Sequence, residues 1–257
     1  EVVFNPKTTN WMTSYDGRNQ EPVELPIKFP LLLAQGAEGI AVGLACKILP
    51  HNFNELIDAS IAILKGENFV IYPDFPTGGL MDVEKYNDGL QGGRLRVRAR
   101  IKQVDNKTLV ITEVPFTVTA DSLIDSIVKA CDKNQLKIKK IDNNTASEVE
   151  IRISLPNDTS PDQTIDALYA FTDCEISLSP NSCVIENEKP RFASVSEILK
   201  VSTQNTVSLL KRELEIELGE LNEKWNWISL EKIFIKEGVY KRMEKCKTDE
   251  EIDSEID

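Results

Sequence analysis

The sequence predicts an α+β fold, with mixed and mainly antiparallel strands and packed helices, followed by one long coiled-coil helix. Three observations carry this. From about Thr119 to Glu186 the apolar pattern alternates between helical and strand periods, in the order helix, strand, strand, helix, strand. The stretch Arg94-Leu95-Arg96-Val97-Arg98-Ala99-Arg100-Ile101-Lys102 has a strict period of two, which is that of a strand. From Ser194 the pattern changes: Val207, Leu210, Leu214, Leu218, Leu221, Trp225 and Ile228 recur at steps of 3 and 4, with charged residues on the other faces. The chain accordingly divides into a connecting segment (1–28), an α+β domain (29–193) and a helical arm (194–257).

Residues 1–28 read as extended segments and loops, with a turn at Asp16-Gly17; Pro22, Pro26 and Pro30 forbid a regular helix there. Tyr15 reads as a surface turn residue. Three glycines within eight residues, Gly36, Gly39 and Gly43, form a Gly-rich loop that permits close backbone approach but fits neither a dinucleotide fingerprint nor a P-loop. Within it Ile40, β-branched among small neighbours, reads as a core residue. His51, the single histidine, reads as structural because no nucleophile or second ligand stands near it.

Asn52 or Asn54 caps a helix over about Glu55–Lys65 that Gly66 closes. A short helix is expected over Asp82–Leu90. The arginine strand then pairs with Thr108–Glu113 as a hairpin turning at Asp105-Asn106. Thr119 or Asp121 caps a helix to about Lys133; strands follow near Lys137–Asp142 and Glu148–Leu155. A helix over Pro161–Phe171 and strands near Glu175–Leu178 and Ser182–Glu186 complete the domain. Ser229 is expected to restart or bend the long helix, and Thr248-Asp249-Glu250-Glu251 is a capping box for another.

Composition narrows the function. The 257 residues carry a net charge of −12 and 41% hydrophobic residues, enough for a sizeable core. No apolar run is long enough for a membrane-spanning helix, and no signal peptide is visible. The five cysteines (Cys46, Cys131, Cys174, Cys183, Cys246) are scattered without a CxxC pair, which supports neither zinc nor a disulfide framework and fits a reducing cytosol. The start at Glu1-Val2-Val3-Phe4, without Met, reads as part of something longer. Against this acidic background the arginine row stands out. Its cations lie roughly 7 Å apart on one strand face and repel one another. It is either a solvated strand face or a surface for a phosphate backbone, and the unbroken single sign favours the second.

Taken in order, Tyr15-Asp16-Gly17, Glu21-Pro22, Leu25-Pro26, Phe29-Pro30-Leu31-Leu32, Gly39-Ile40-Ala41-Val42-Gly43-Leu44-Ala45, Pro50-His51-Asn52, Pro73-Asp74-Phe75-Pro76-Thr77-Gly78-Gly79 and Gly93-Arg94 through Arg100 resemble the A subunit of bacterial type IIA topoisomerases, gyrase and topoisomerase IV. The resemblance covers nearly the whole chain and is densest over 14–116. It implies a tower (shoulder) domain followed by the outgoing coiled-coil arm. It implies that Ile40 wedges between base pairs of gate DNA, opposite to its reading as a core residue, with Gly39 allowing close approach. Lys47, Arg94, Arg96, Arg98 and Arg100 would then contact phosphates.

The same resemblance implies ATP-dependent double-strand passage by a homodimer acting with a B subunit. That partner holds Mg²⁺ and ATP, and this chain holds no cofactor and no metal. The implied location is the cytoplasm, at the nucleoid. The family's nucleophilic tyrosine lies upstream, in a winged-helix domain, so none of the chain's tyrosines is assigned as catalytic, and the chain alone is expected not to cleave DNA. Glu38 and Lys47 depart from the family pattern, and Glu38 is expected to place a negative charge beside the wedge. A rival class is an assembly module whose basic strand binds an acidic protein.

Overall fold

The computed structural model describes residues 3–186, 188–238 and 240–241. The chain forms two compact units, Phe29–Thr203 and Glu1–Lys28 with Gln204–Asp257. In the terminal unit the expected extended segments include two short strands, β1 (Trp11–Thr13) and β2 (Gln20–Pro22), which pair antiparallel across the Asp16-Gly17 turn. Asp16 Oδ1 accepts from Ser14 Oγ and from the Arg18 N–H, which closes that turn locally. Lys28 pairs with Glu213 at 2.8 Å and Lys7 with Glu220 at 2.5 Å, tying the first residues to the long C-terminal helix.

The larger unit starts with a short helix, α1 (Leu31–Gln35), whose Leu33 is fully buried. Gly36, at φ +71, follows because a Cβ there would lie 2.6 Å from the Ile48 carbonyl oxygen. The expected Gly-rich loop is instead a hairpin of β3 (Ala37–Ala41) and β4 (Leu44–Ile48). Helix α2 (Phe53–Lys65) opens on Asn52, whose Oδ1 accepts from the Asn54 and Glu55 N–H groups, and closes at Gly66. The expected helix over Asp82–Leu90 does not form. Strand β5 (Leu80–Asp82) and a 3-10 turn over Asn87–Gly89 take its place, because Asn87 and Asp88 adopt positive φ.

The arginine stretch is two strands, not one: β6 (Leu95–Arg98) and β7 (Arg100–Asp105). They lie in different sheets, and Ala99 is the switch. Its N–H donates to the Cys174 carbonyl at 2.7 Å, and its own carbonyl accepts from Tyr169 Oη at 2.9 Å. The remaining elements are β8 (Thr108–Glu113), α3 (Ala120–Asp132), β9 (Lys140–Asn143), β10 (Ile151–Ser154), α4 (Pro161–Phe171), β11 (Glu175–Leu178), β12 (Cys183–Glu186), β13 (Lys189–Phe192) and α5 (Val195–Lys236). Strand β13 is hidden in the sequence by Pro190. Helix α5 runs unbroken through Ser229 and does not restart there. The capping box at 248–251 lies outside the described residues.

The sheets are antiparallel, in the orders β7-β8-β10-β9 and β11-β6-β5. They serve separate cores. Leu95 and Val97 join Leu33, Leu56, Ile71 and Leu199 in one. Ala99 joins Leu109, Ile111, Leu123, Ile127, Ile151, Ile153 and Leu168 in the other. The alternating apolar residues of the arginine stretch therefore feed two cores in succession.

Candidate nucleic-acid interface

The β3–β4 hairpin has an anchored root and a free tip. At the root, the Lys47 N–H and carbonyl exchange hydrogen bonds with Asn181, both at 2.9 Å, and the Cys46 thiol donates to the Cys183 carbonyl at 3.2 Å. Ile48 is buried. At the tip, Ala41 pairs with Leu44 across a two-residue turn, Val42-Gly43, with Gly43 at φ +77 as the second turn position requires. Ile40 is 91% exposed and Val42 104% exposed. Turn positions normally carry polar residues, and the ladder itself asks for nothing this apolar. No heavy atom lies within 4 Å of where Gly39 would carry a Cβ, so the strand beside Ile40 is open to close approach.

Register places Ile40, Ala45, Glu38 and Lys47 on one face of this hairpin. Glu38 lies directly opposite Lys47 and pairs with it at 3.1 Å. The expected lone negative charge beside Ile40 is thus already countered, and Lys47 already holds an anion.

The same holds for the arginine row. Its apolar partners Leu95, Val97 and Ala99 are fully buried, as alternation predicts. The absence of carboxylates along the row, however, is a property of the sequence only. Asp82 of β5 lies opposite Arg96 and accepts from its Nη2 at 2.6 Å and its Nε at 3.2 Å. Glu175 of β11 lies opposite Arg98 and accepts from its Nε. Glu113 of β8 lies opposite Arg100 and accepts from its Nε at 2.8 Å. Arg94 Nε donates to Ser177 Oγ at 2.6 Å. Arg98 also stacks its guanidinium over the Tyr169 ring at 4.8 Å.

The hydrogen bond from Arg96 holds the Asp82 carboxyl below the usual carboxylate range. The Glu113 carboxyl is lowered first by the Gly79 N–H, which donates to it at 2.6 Å, and then by Arg100. Sequence reasoning missed these acids because they lie on other strands, 13, 14 and 77 residues from the arginines they hold.

Tyr15 projects fully into solvent from its polar turn. His51 is buried; the ring contacts the Leu33 carbonyl through Nδ1 at 3.2 Å and Tyr86 Oη through Nε2 at 3.4 Å. Its burial lowers the imidazole pKa, and burial raises that of Tyr86. Among the described residues, no group of three or more His, Cys, Asp and Glu is placed to hold a metal ion. No described helix is long and apolar enough to cross a membrane.

Comparison with known proteins gives one consistent outcome. The family model for the A subunit of DNA gyrase/topoisomerase IV matches residues 2–256. The DNA topoisomerase 4 A subunit of Borreliella burgdorferi is 45% identical over 235 residues, covering 91% of this chain and 37% of that protein. The DNA gyrase A subunit of Metamycoplasma arthritidis is 30% identical over 233 residues, covering 82% of this chain and 25% of that one. The DNA gyrase A subunit of Mycobacterium tuberculosis is 31% identical over 245 residues, covering 86% and 29%. The chain thus spans between a quarter and two-fifths of the length of these relatives.

Proposed function

The chain belongs to the family of DNA gyrase and topoisomerase IV A subunits, and from that premise we propose that it is the part of a type II topoisomerase that binds and bends gate DNA during ATP-dependent double-strand passage. The observation that carries this is Ile40, held 91% exposed on a hairpin whose root is fixed and whose tip stands in solvent. A side chain so placed pushes between base pairs from the minor groove. Unstacking a step costs a few kcal/mol. Burying the isoleucine returns about 2–3 kcal/mol, and the bend brings further phosphates within reach of the protein. Lys47 shares the wedge's face, and Arg94, Arg96, Arg98 and Arg100 supply contacts that do not depend on sequence.

In this reading the partner B subunit supplies ATP and Mg²⁺, the metal stabilising charge at the phosphodiester. No tyrosine of this chain is assigned as the nucleophile. Helix α5 carries the assembly role: Val207, Leu210, Leu214, Leu218, Leu221, Trp225 and Ile228 are all exposed along it, as one arm of a coiled coil in a homodimeric protein at the nucleoid.

The test is duplex binding across a salt series for the parent and for Arg94→Glu/Arg96→Glu/Arg98→Glu. A steep loss with salt in the parent and abolished binding in the variant support the assignment. Equal binding by both removes the arginine row from the interface. Binding of an acidic protein with no duplex binding at low salt would favour the assembly-module alternative.

A further inference from the structure

The arginine row is held in one repeated way. Arg94, Arg96, Arg98 and Arg100 each donate through Nε, the inner edge of the guanidinium, to an acceptor on a neighbouring strand: Ser177, Asp82, Glu175 and Glu113. Ser177 and Glu175 come from β11, Asp82 from β5 and Glu113 from β8, so the row is gripped by strands of both sheets. Arginine has five N–H donors, and engaging Nε leaves the Nη groups, which form the fork that suits phosphate oxygens. Of the four, Arg96 also commits Nη2 to its partner, Asp82.

Arg98 is fixed twice, by Glu175 and by the Tyr169 ring, whose hydroxyl is itself tied to the Ala99 carbonyl. Three of the four acceptors are carboxylates, and they cancel three of the five positive charges between Arg94 and Lys102.

We propose that Asp82, Glu175, Glu113 and Ser177 are positioning residues that set the strength of this face toward a phosphate backbone: they order the guanidinium groups for contact and restrain the affinity by cancelling most of their field. This rests on the DNA-binding assignment above. A carboxylate that stays beside its arginine when a phosphate arrives repels that phosphate. At roughly 7 Å in water the repulsion weakens binding by about threefold per carboxylate, before salt screening. It also reduces the counterions released, so the salt dependence is shallower than a bare row would give. A face built this way grips in a defined orientation and lets go readily, which suits a segment that must release duplex.

The test compares the 257-residue chain with Asp82→Asn/Glu175→Gln, using a random-sequence duplex between about 0.05 and 0.2 M salt. The amides keep an acceptor oxygen for Nε and remove the charge. The expected result is tighter binding at low salt, by up to about tenfold, with a salt slope steeper by about 1 to 2. Glu175→Asp keeps the charge and should retain the parent slope. Because Glu113 also holds Gly79, Glu113→Gln is left out of the main variant and used only after its fold is confirmed by melting.

Unchanged or weaker binding in Asp82→Asn/Glu175→Gln, with a parent that binds and loses binding in Arg94→Glu/Arg96→Glu/Arg98→Glu, overturns the restraint while leaving the DNA assignment intact. Failure of parent and amide variant alike to bind at the lowest salt overturns both.

Discussion

Ile40→Ala separates a functional wedge from a structural residue. In the protein alone Ile40 makes little contact: it is 91% exposed and its ladder partner across the hairpin is Ala45. Truncation should therefore leave folding stability within about 0.5 kcal/mol, as for an ordinary surface substitution. Against bent duplex the change is larger. The substitution removes three carbons that would otherwise be buried between base pairs. At about 0.8 kcal/mol per buried carbon this is about 2 kcal/mol, or about 30-fold in the balance between bent and straight DNA. End-labelled duplex read by fluorescence transfer measures that balance, and thermal melting measures the fold. Loss of bending with an unchanged melt is the expected outcome. A melt lowered by several degrees, or bending equal to the parent's, would refute the wedge.

Three further outcomes follow from other parts of the molecule. His51 is buried with its pKa lowered, so the folded state binds its proton less readily than the unfolded state. Stability should be full above the unfolded value of about 6.5 and fall as pH drops below it, and urea midpoints at about pH 7.5 and 5.5 test this. It is the only histidine, so the effect should vanish in His51→Gln after allowing for that variant's lower baseline. Glu113→Ala removes a charged acceptor from the Gly79 N–H and should cost about 1.5–2 kcal/mol in urea unfolding, the low end of the range because the carboxylate is partly exposed; Glu113→Gln should cost less. Cys174 is fully buried and its thiol is pushed up to about 11, so iodoacetamide at about pH 8 should leave it unmodified in the folded protein and label the part-exposed Cys46, Cys131 and Cys183 first.

Elements with local signals were legible. Helix α2 ends at Gly66 as expected, α3 begins after Thr119, and α4 and β8 have the bounds their patterns imply. Each is framed by a cap, a proline or a turn a few residues away. The misreadings share one cause. The helix expected over Asp82–Leu90 gave way to β5, whose ladder partner β6 lies some fourteen residues on. The Gly-rich segment became a hairpin because residue 181 stitches its root. Ile40 by composition suits a core as well as a tip; only the position of Val42-Gly43 as the turn puts it outside.

By itself the sequence determined the alternation that buries Leu95, Val97 and Ala99 and turns the arginines outward, because a strand's side chains must alternate whatever it pairs with. It also determined the apolar stripe of α5 and the caps of the helices, since those depend on neighbours three or four residues away. Only the tertiary structure decided what the arginines face. Asp82 and Glu175 lie 14 and 77 residues from the cations they hold. Long-range pairing of strands brings them opposite, and that pairing turns a bare row of positive charge into an ordered and largely compensated one.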